Sequence, residues 1–221
     1  MPDLVLLSDP VIAEVPLREC GEPLIDLRSV RALRVDPRLA DPAGHYALLR
    51  RGVTDRLVTA QTVLPAPIGL LIIEGYRPPE LQARYFSERV AALRAQYPQA
   101  GSQWLRREAG RYVSPPEVAP HAAGAAVDLT LCTTDGHELW MGTEVNDASR
   151  PARHTYHPDL DDDATNNRAT LIAALTAVGM VNYPIEWWHW SYGDRYWAYI
   201  NNARVARYGP VLWQGDDRAG S

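Results

Sequence analysis

The chain contains no lysine; all 22 of its basic residues are arginine. No Schiff base to a carbonyl, no lysine on a nucleotide phosphate and no lysine general base can therefore form. Cysteine is scarce. Cys20 and Cys132 make no C-x-x-C pair, which excludes a thioredoxin-type couple and a cysteine zinc knuckle. Two reduced, buried thiols are the expectation. No apolar run reaches the ~18 residues that span a bilayer, so no membrane association is expected. The first 20 residues lack the basic start of a signal peptide. A soluble, cytoplasmic protein is expected. A basic surface is missing as well, because the net charge is −5; a nucleic-acid backbone is not the expected partner. Several catalytic signatures do not occur: H-E-x-x-H, G-x-S-x-G, G-x-G-x-x-G, and the H-x-E with P-C-x-x-C of zinc deaminases.

What is present suits one domain, residues 1–221, with a sizeable core: 221 residues, 46% of them hydrophobic. Residues 1–60 have weak periodicity, and short strands, loops and a short helix near "AGHYALLRRGV" are expected there. In "PIGLLIIEGYRPP", Leu70 to Ile73 read as a buried strand stopped by Gly75 and the two prolines. "PELQARYFSERVAALRAQYP" reads as a helix with Pro79 in its first turn. Its expected stripe is Leu81, Tyr85, Val90, Leu93 and Tyr97. "HAAGAAVDLTLCTTDGHELWMG" reads as a turn, a strand and a hairpin. Val127, Leu129 and Leu131 alternate toward the core; Ala126, Asp128 and Thr130 face a groove. "TNNRATLIAALTAVGM" reads as a helix capped by Thr165 or Asn166 and ended by Gly179, followed by a strand in "MVNYPIEWWHWSY". The acidic run before that helix is expected as solvated surface. Helices and hairpins mix without a βαβ rhythm, so the fold class is α+β.

Two residue pairs could carry chemistry. His121 and Asp128 are seven apart, too far to meet along one helix or one strand. A turn at Gly124 would bring them together, and small residues at 122, 123, 125 and 126 would leave room for an approaching group. Alternatively, His121 caps a loop and Asp128 pairs with an arginine; spacing alone leaves both open. Glu186 and His189 are three apart, on opposite faces of an ideal strand, and only a bulge or tight turn aims both at one point. If both pairs converge, the set is a His/Asp/His zinc site with an open position and a free glutamate base. The bland alternative pairs Glu186 with an arginine and buries His189. Arg77 follows a buried strand, where it either aims into a cleft or pairs with Glu74 or Glu80. His154 and His157 have H-x-x-H spacing in a polar loop, a weak candidate for a second metal. Cys132 lies on the strand face of Asp128, but no basic neighbour is evident to activate its thiol.

The motifs "EGYRPPELQ", "HAAGAAVDLTL", "MGTEVND" and "EWWHW" occur in the order found in the D-alanyl-D-alanine dipeptidases, which the chain resembles from about residue 68 to 200. These are zinc peptidases related to bacterial DD-carboxypeptidases and to the hedgehog signalling domain. The resemblance implies a central, mainly antiparallel sheet flanked by helices and one Zn2+ per chain on His121, Asp128 and His189. It implies Glu186 as the catalytic base, Arg77 as the residue assisting the transition state, and Asp147 as the acid that meets a substrate amino group. It further implies a small dipeptide substrate such as D-Ala-D-Ala, with aromatics walling the cleft. The alternatives are a DD- or LD-carboxypeptidase on longer wall peptides, or a non-catalytic zinc module. Two departures bear on substrate: Ala119 stands where the family has serine, and Ser29 where it has tyrosine.

Overall fold

The computed structural model describes residues 4–147 and 149–213. Along the chain run α1 (Pro10–Ala13), β1 (Leu24–Asp26), β2 (Arg34–Val35), β3 (Leu48–Arg50), α2 (Arg51–Val63), β4 (Ile68–Glu74), α3 (Pro79–Gln96), α4 (Ser102–Ala109), β5 (Ala126–Thr133), α5 (Asp162–Ala177), β6 (Val181–Tyr183), β7 (Glu186–Ser191) and α6 (Arg195–Ile200). Five strands form one sheet in the order β2-β4-β5-β7-β6, and β1 pairs with β3 in a separate ribbon. Only β2–β4 is parallel; β4–β5, β5–β7 and β6–β7 are antiparallel. The architecture is the expected α+β, with a mainly antiparallel sheet.

The sheet lies where its sequence is most apolar. Leu70 to Ile73 are buried in β4, and β5 is buried over nearly its whole length. Val127, Leu129 and Leu131 enter the main core, as their alternation requires. The opposite face is also covered, since Cys132 packs with Leu71 and Ile73. The groove on that face therefore opens only at the Asp128 end. The first 60 residues share the core: Leu27, Leu49, Val53 and Leu57 pack with Ile72 and Leu129.

Three expectations about helices need correction. A 13-residue helix, α2, stands where a short one was expected, and α4 was not anticipated. Gly52 and the valines and threonines of α2 depress its intrinsic propensity, but Val53, Leu57 and Ala60 bury a common face, and packing decides. On α3 the buried stripe is Gln82, Phe86 and Leu93, while Tyr85 and Tyr97 are exposed. On α5 the cap is Asp161, whose carboxylate accepts from the Ala164 N–H at 2.7 Å. Asp162 and Asp163 follow in the positively polarised first turn, so the acidic run starts the helix. Gly179 ends it at φ +77°, with Met180 N–H donating to the Leu175 carbonyl.

Candidate active site

The aromatic strand is not regular. Asn182 stands opposite Trp190, yet the next residue, Tyr183, stands opposite Glu186. Trp187, Trp188 and His189 are thus a bulge with no partners on β6. The Asn182 amide fills the gap, donating from Nδ2 to the carbonyls of Glu186 at 3.1 Å and His189 at 3.0 Å. This bulge turns Glu186 and His189, which a flat strand would oppose, into one cleft. The three tryptophans are core residues: Trp187, Trp188 and Trp190 are each 1% exposed. The aromatics that wall the cleft are Tyr112 and Tyr183.

The other pair is brought together by a single turn of 3-10 helix, His121–Ala123, and by Gly124 at φ +62°. The Arg50 N–H donates to the Gly124 carbonyl at 2.9 Å, and its Nε donates to the Ala123 carbonyl at 2.8 Å. Ala122, Ala123, Ala125 and Ala126 are buried, so their small size serves close backbone packing and leaves no ligand space. A side chain on Gly124 would need a left-handed backbone and would meet Leu24. Gly124→Ala is expected to lower stability by about 2 kcal/mol, a fall in Tm of about 4–8 °C, read by thermal melting.

Asp128 on β5 stands directly opposite His189 on β7, so sheet register alone puts them side by side. Nδ1 of His189 is 3.0 Å from Oδ1 of Asp128 and 3.2 Å from Nε2 of His121; His121 Nε2 is 3.3 Å from the same oxygen. All three side chains are buried. Among the described residues these three form the one cluster of His, Cys, Asp and Glu donors able to hold a metal. His154 and His157 do not join such a cluster.

The triangle fits a metal ion. His121 Nδ1 donates to the Gly75 carbonyl at 2.6 Å, which leaves the Nε2 lone pair facing the other two donors. Three lone-pair donors therefore converge on one point, a donor set that suits a cation. Their separations match the about 3.3 Å between ligands bonded at about 2.0 Å to a tetrahedral ion. Burial opposes charging of the His121 ring, but the Asp128 carboxylate outweighs it and raises the His121 pKa. Burial pushes Asp128 up, and the two imidazoles outweigh that, holding it well below the usual carboxylate range.

Glu186 shares the cleft without joining the triangle. Burial pushes its carboxyl up to about 7, partly offset by His189, Arg153 and Arg77. Arg77 also lines the cleft, but its guanidinium is engaged. Nε and Nη2 donate to the two oxygens of Glu74 at 2.7 and 2.6 Å, and Nη1 donates to Gln82 at 2.8 Å. Gln82 in turn donates to the Ser114 carbonyl at 2.7 Å. The Glu74 partnership and the cleft position thus hold together. Asp147 is not brought to the cleft; its carboxylate accepts from Ser149 and lies 3.6 Å from Arg150. The neighbouring Asn146, at φ +68°, lines the cleft in its place. Ala119 lines the cleft, whereas Ser29 is exposed and donates to the Asp26 carbonyl at 2.6 Å. Cys132 is buried and burial raises its thiol pKa, the reverse of an activated nucleophile. Cys20 is exposed, not buried as expected.

Sequence reasoning missed Gln82, Tyr112 and Arg153. Gln82 carried a signal, a polar residue on the buried stripe of a helix. Arg153 sat in a loop with no periodicity to single it out.

A profile of peptidases described as D-ala-D-ala dipeptidase matches residues 24–206, beginning well before the motif-bearing region. A D-alanyl-D-alanine dipeptidase of Synechocystis sp. is 30% identical over an alignment of 237 residues, covering 91% of this chain and 94% of that protein. One of Escherichia coli is 41% identical over 69 residues, about a third of each chain. The solved structure of the LdcB LD-carboxypeptidase superposes with a TM-score of 0.47 at 17% identity, covering 86% of this chain and 76% of that one.

Proposed function

The chain belongs to the D-ala-D-ala dipeptidase family of peptidases, and from that premise we propose that it hydrolyses D-Ala-D-Ala in the cytoplasm as a zinc enzyme. The observation that carries the chemistry is the buried triangle of His121, Asp128 and His189 with the free carboxyl of Glu186 in the same cleft. The free, exposed thiol of Cys20 suits a reducing compartment. Among the described residues no helix is long and apolar enough to cross a membrane. The substrate places the enzyme in the turnover of peptidoglycan precursors or fragments.

When bound by His121, Asp128 and His189, a zinc ion supplies Lewis acidity at the scissile carbonyl. Glu186 then accepts the proton of the attacking water and returns it to the leaving amine. Arg77, fixed by Glu74 and Gln82, sets a positive charge beside the oxygen on which negative charge develops. Tyr112 and Tyr183 line the cleft, and the buried Tyr183 shields its side of the site from water, which strengthens the charged contacts there. Zinc-loaded protein incubated with D-Ala-D-Ala should release two D-alanines per dipeptide, and a chelator should stop it. Protein carrying one zinc per chain that releases none would overturn the substrate assignment.

A further inference from the structure

The mechanism leaves unused a charged group buried beside Glu186. Arg153 is 8% exposed, and its Nη1 is buried with no hydrogen-bond partner. That nitrogen lies 3.9 Å from Oε1 of Glu186, the one carboxylate paired with Arg153 among the described residues. A guanidinium donor left unpaired in the interior is costly, and such groups persist where something uses them.

The surroundings hold it in place. The Arg168 guanidinium donates to the carbonyls of Ala152 at 2.6 Å, His154 at 2.7 Å and Thr155 at 3.2 Å, bracketing Arg153. No carboxylate faces Arg168 among the described residues, and burial moves its pKa down to about 10. Thr155 binds the segment to the hairpin that carries Glu186, through its N–H to the Pro184 carbonyl at 2.9 Å and its hydroxyl to Asn182 at 2.6 Å. Arg153 and Glu186 are therefore carried on one frame. On its other side, the Arg153 guanidinium lies over the Tyr112 ring, 5.0 Å from the centroid.

We propose that Arg153 is a positioning residue, whose guanidinium holds the Glu186 side chain in the orientation from which it takes the proton. This rests on Glu186 being the base. The charged and titratable groups around Glu186 are His189, Asp128, Arg77, Tyr183 and Arg153. Asp128 opposes a second negative charge. Arg77 is committed to Glu74 and Gln82. His189 turns its Nδ1 to Asp128. Nε2 of His189 is likewise without a partner, but among the described residues Arg153 is the cation within ion-pair distance of the Glu186 carboxylate. At 3.9 Å the contact is one of charge, beyond hydrogen-bond length.

The test uses zinc-loaded protein and D-Ala-D-Ala. Arg153→Met should lower kcat by about 10²-fold, with KM within about threefold and one zinc per chain retained. Arg153→Lys should stay within about tenfold of wild type, since it restores the charge. Melting of the same zinc-loaded proteins supplies a readout independent of turnover. Arg153→Met should lower Tm by about 2–4 °C, and at least half of that loss should vanish in a Glu186→Gln background. A rise in KM alone would make Arg153 a substrate contact and overturn the proposal. Equal losses with Lys and Met, and a Tm loss independent of residue 186, would overturn it as merely structural. If wild type fails on D-Ala-D-Ala, the substrate assignment fails, and the melting cycle still decides the pairing.

Discussion

Glu186→Gln abolishes hydrolysis while the protein keeps its zinc: kcat falls by about 10³-fold or more, and metal analysis still finds one ion per chain. The substitution keeps the size and polarity of the side chain and removes only its capacity to accept a proton. Glu186 stands outside the triangle of His121, Asp128 and His189, so the three donors are untouched. The acid limb of the kcat/KM profile supplies a second check. Burial pushes the Glu186 carboxyl up to about 7 in the protein without metal. The base acts as carboxylate, so the rate rises with pH through its pKa. A divalent cation in the triangle favours the charged form, so the limb lies at or below about 7. A Glu186→Gln enzyme that keeps more than a tenth of wild-type kcat, or that loses its zinc, would show that Glu186 is not the base or is itself a ligand.

The chemistry was more legible than the geometry that delivers it. His121, Gly124 and Asp128 declared a turn feeding a strand because glycine alone sits comfortably at a left-handed position, and the structure places Gly124 at φ +62°. The strands β4 and β5 announced themselves through β-rich apolar runs. The pairing of Glu186 with His189 was legible only as a condition, that some bulge must exist. What creates it is Asn182, whose amide stands in for missing ladder bonds, and no local pattern marks an asparagine for that task. Two misreadings share a cause. The aromatics of the 182–200 segment were expected on the cleft wall, where Tyr183 stands but the tryptophans do not, and the small residues 122, 123, 125 and 126 as open space. Trp187, Trp188, Trp190 and these alanines are buried packing, because local sequence gives residue size but not which side of the sheet is covered. Asp147 was expected from the family resemblance; it is the neighbouring Asn146, at φ +68°, that lines the cleft. Arg153 depends on tertiary contacts from Arg168 and Thr155, 15 and 2 residues away, and leaves no trace in periodicity.

Asp128→Ala strips the site of its metal, and the resulting loss of activity differs in kind from that of Glu186→Gln. The Asp128 carboxylate stands opposite His189 and 3.3 Å from His121 Nε2. It is the only anion in the triangle, and without it two neutral imidazoles must hold a dication. Losing a partner that merely orients a ligand costs about 10–100-fold in metal affinity; losing the ligand itself costs more. At limiting free zinc, activity should fall below about one thousandth of wild type, in step with bound metal. Raising free zinc should restore part of it, whereas no amount of zinc restores Glu186→Gln, because there the missing part is a proton acceptor. Stability should follow the same division. At free zinc about 1,000 times its Kd, wild type gains about 4 kcal/mol over the metal-free protein, and Glu186→Gln gains nearly as much. Asp128→Ala gains far less, read as the zinc dependence of Tm. Equal zinc-dependent shifts in wild type and Asp128→Ala would show that the ion is held without this carboxylate. The register of β5 against β7, which sets the Asp128–His189 pair, would then have to be explained by something other than metal binding.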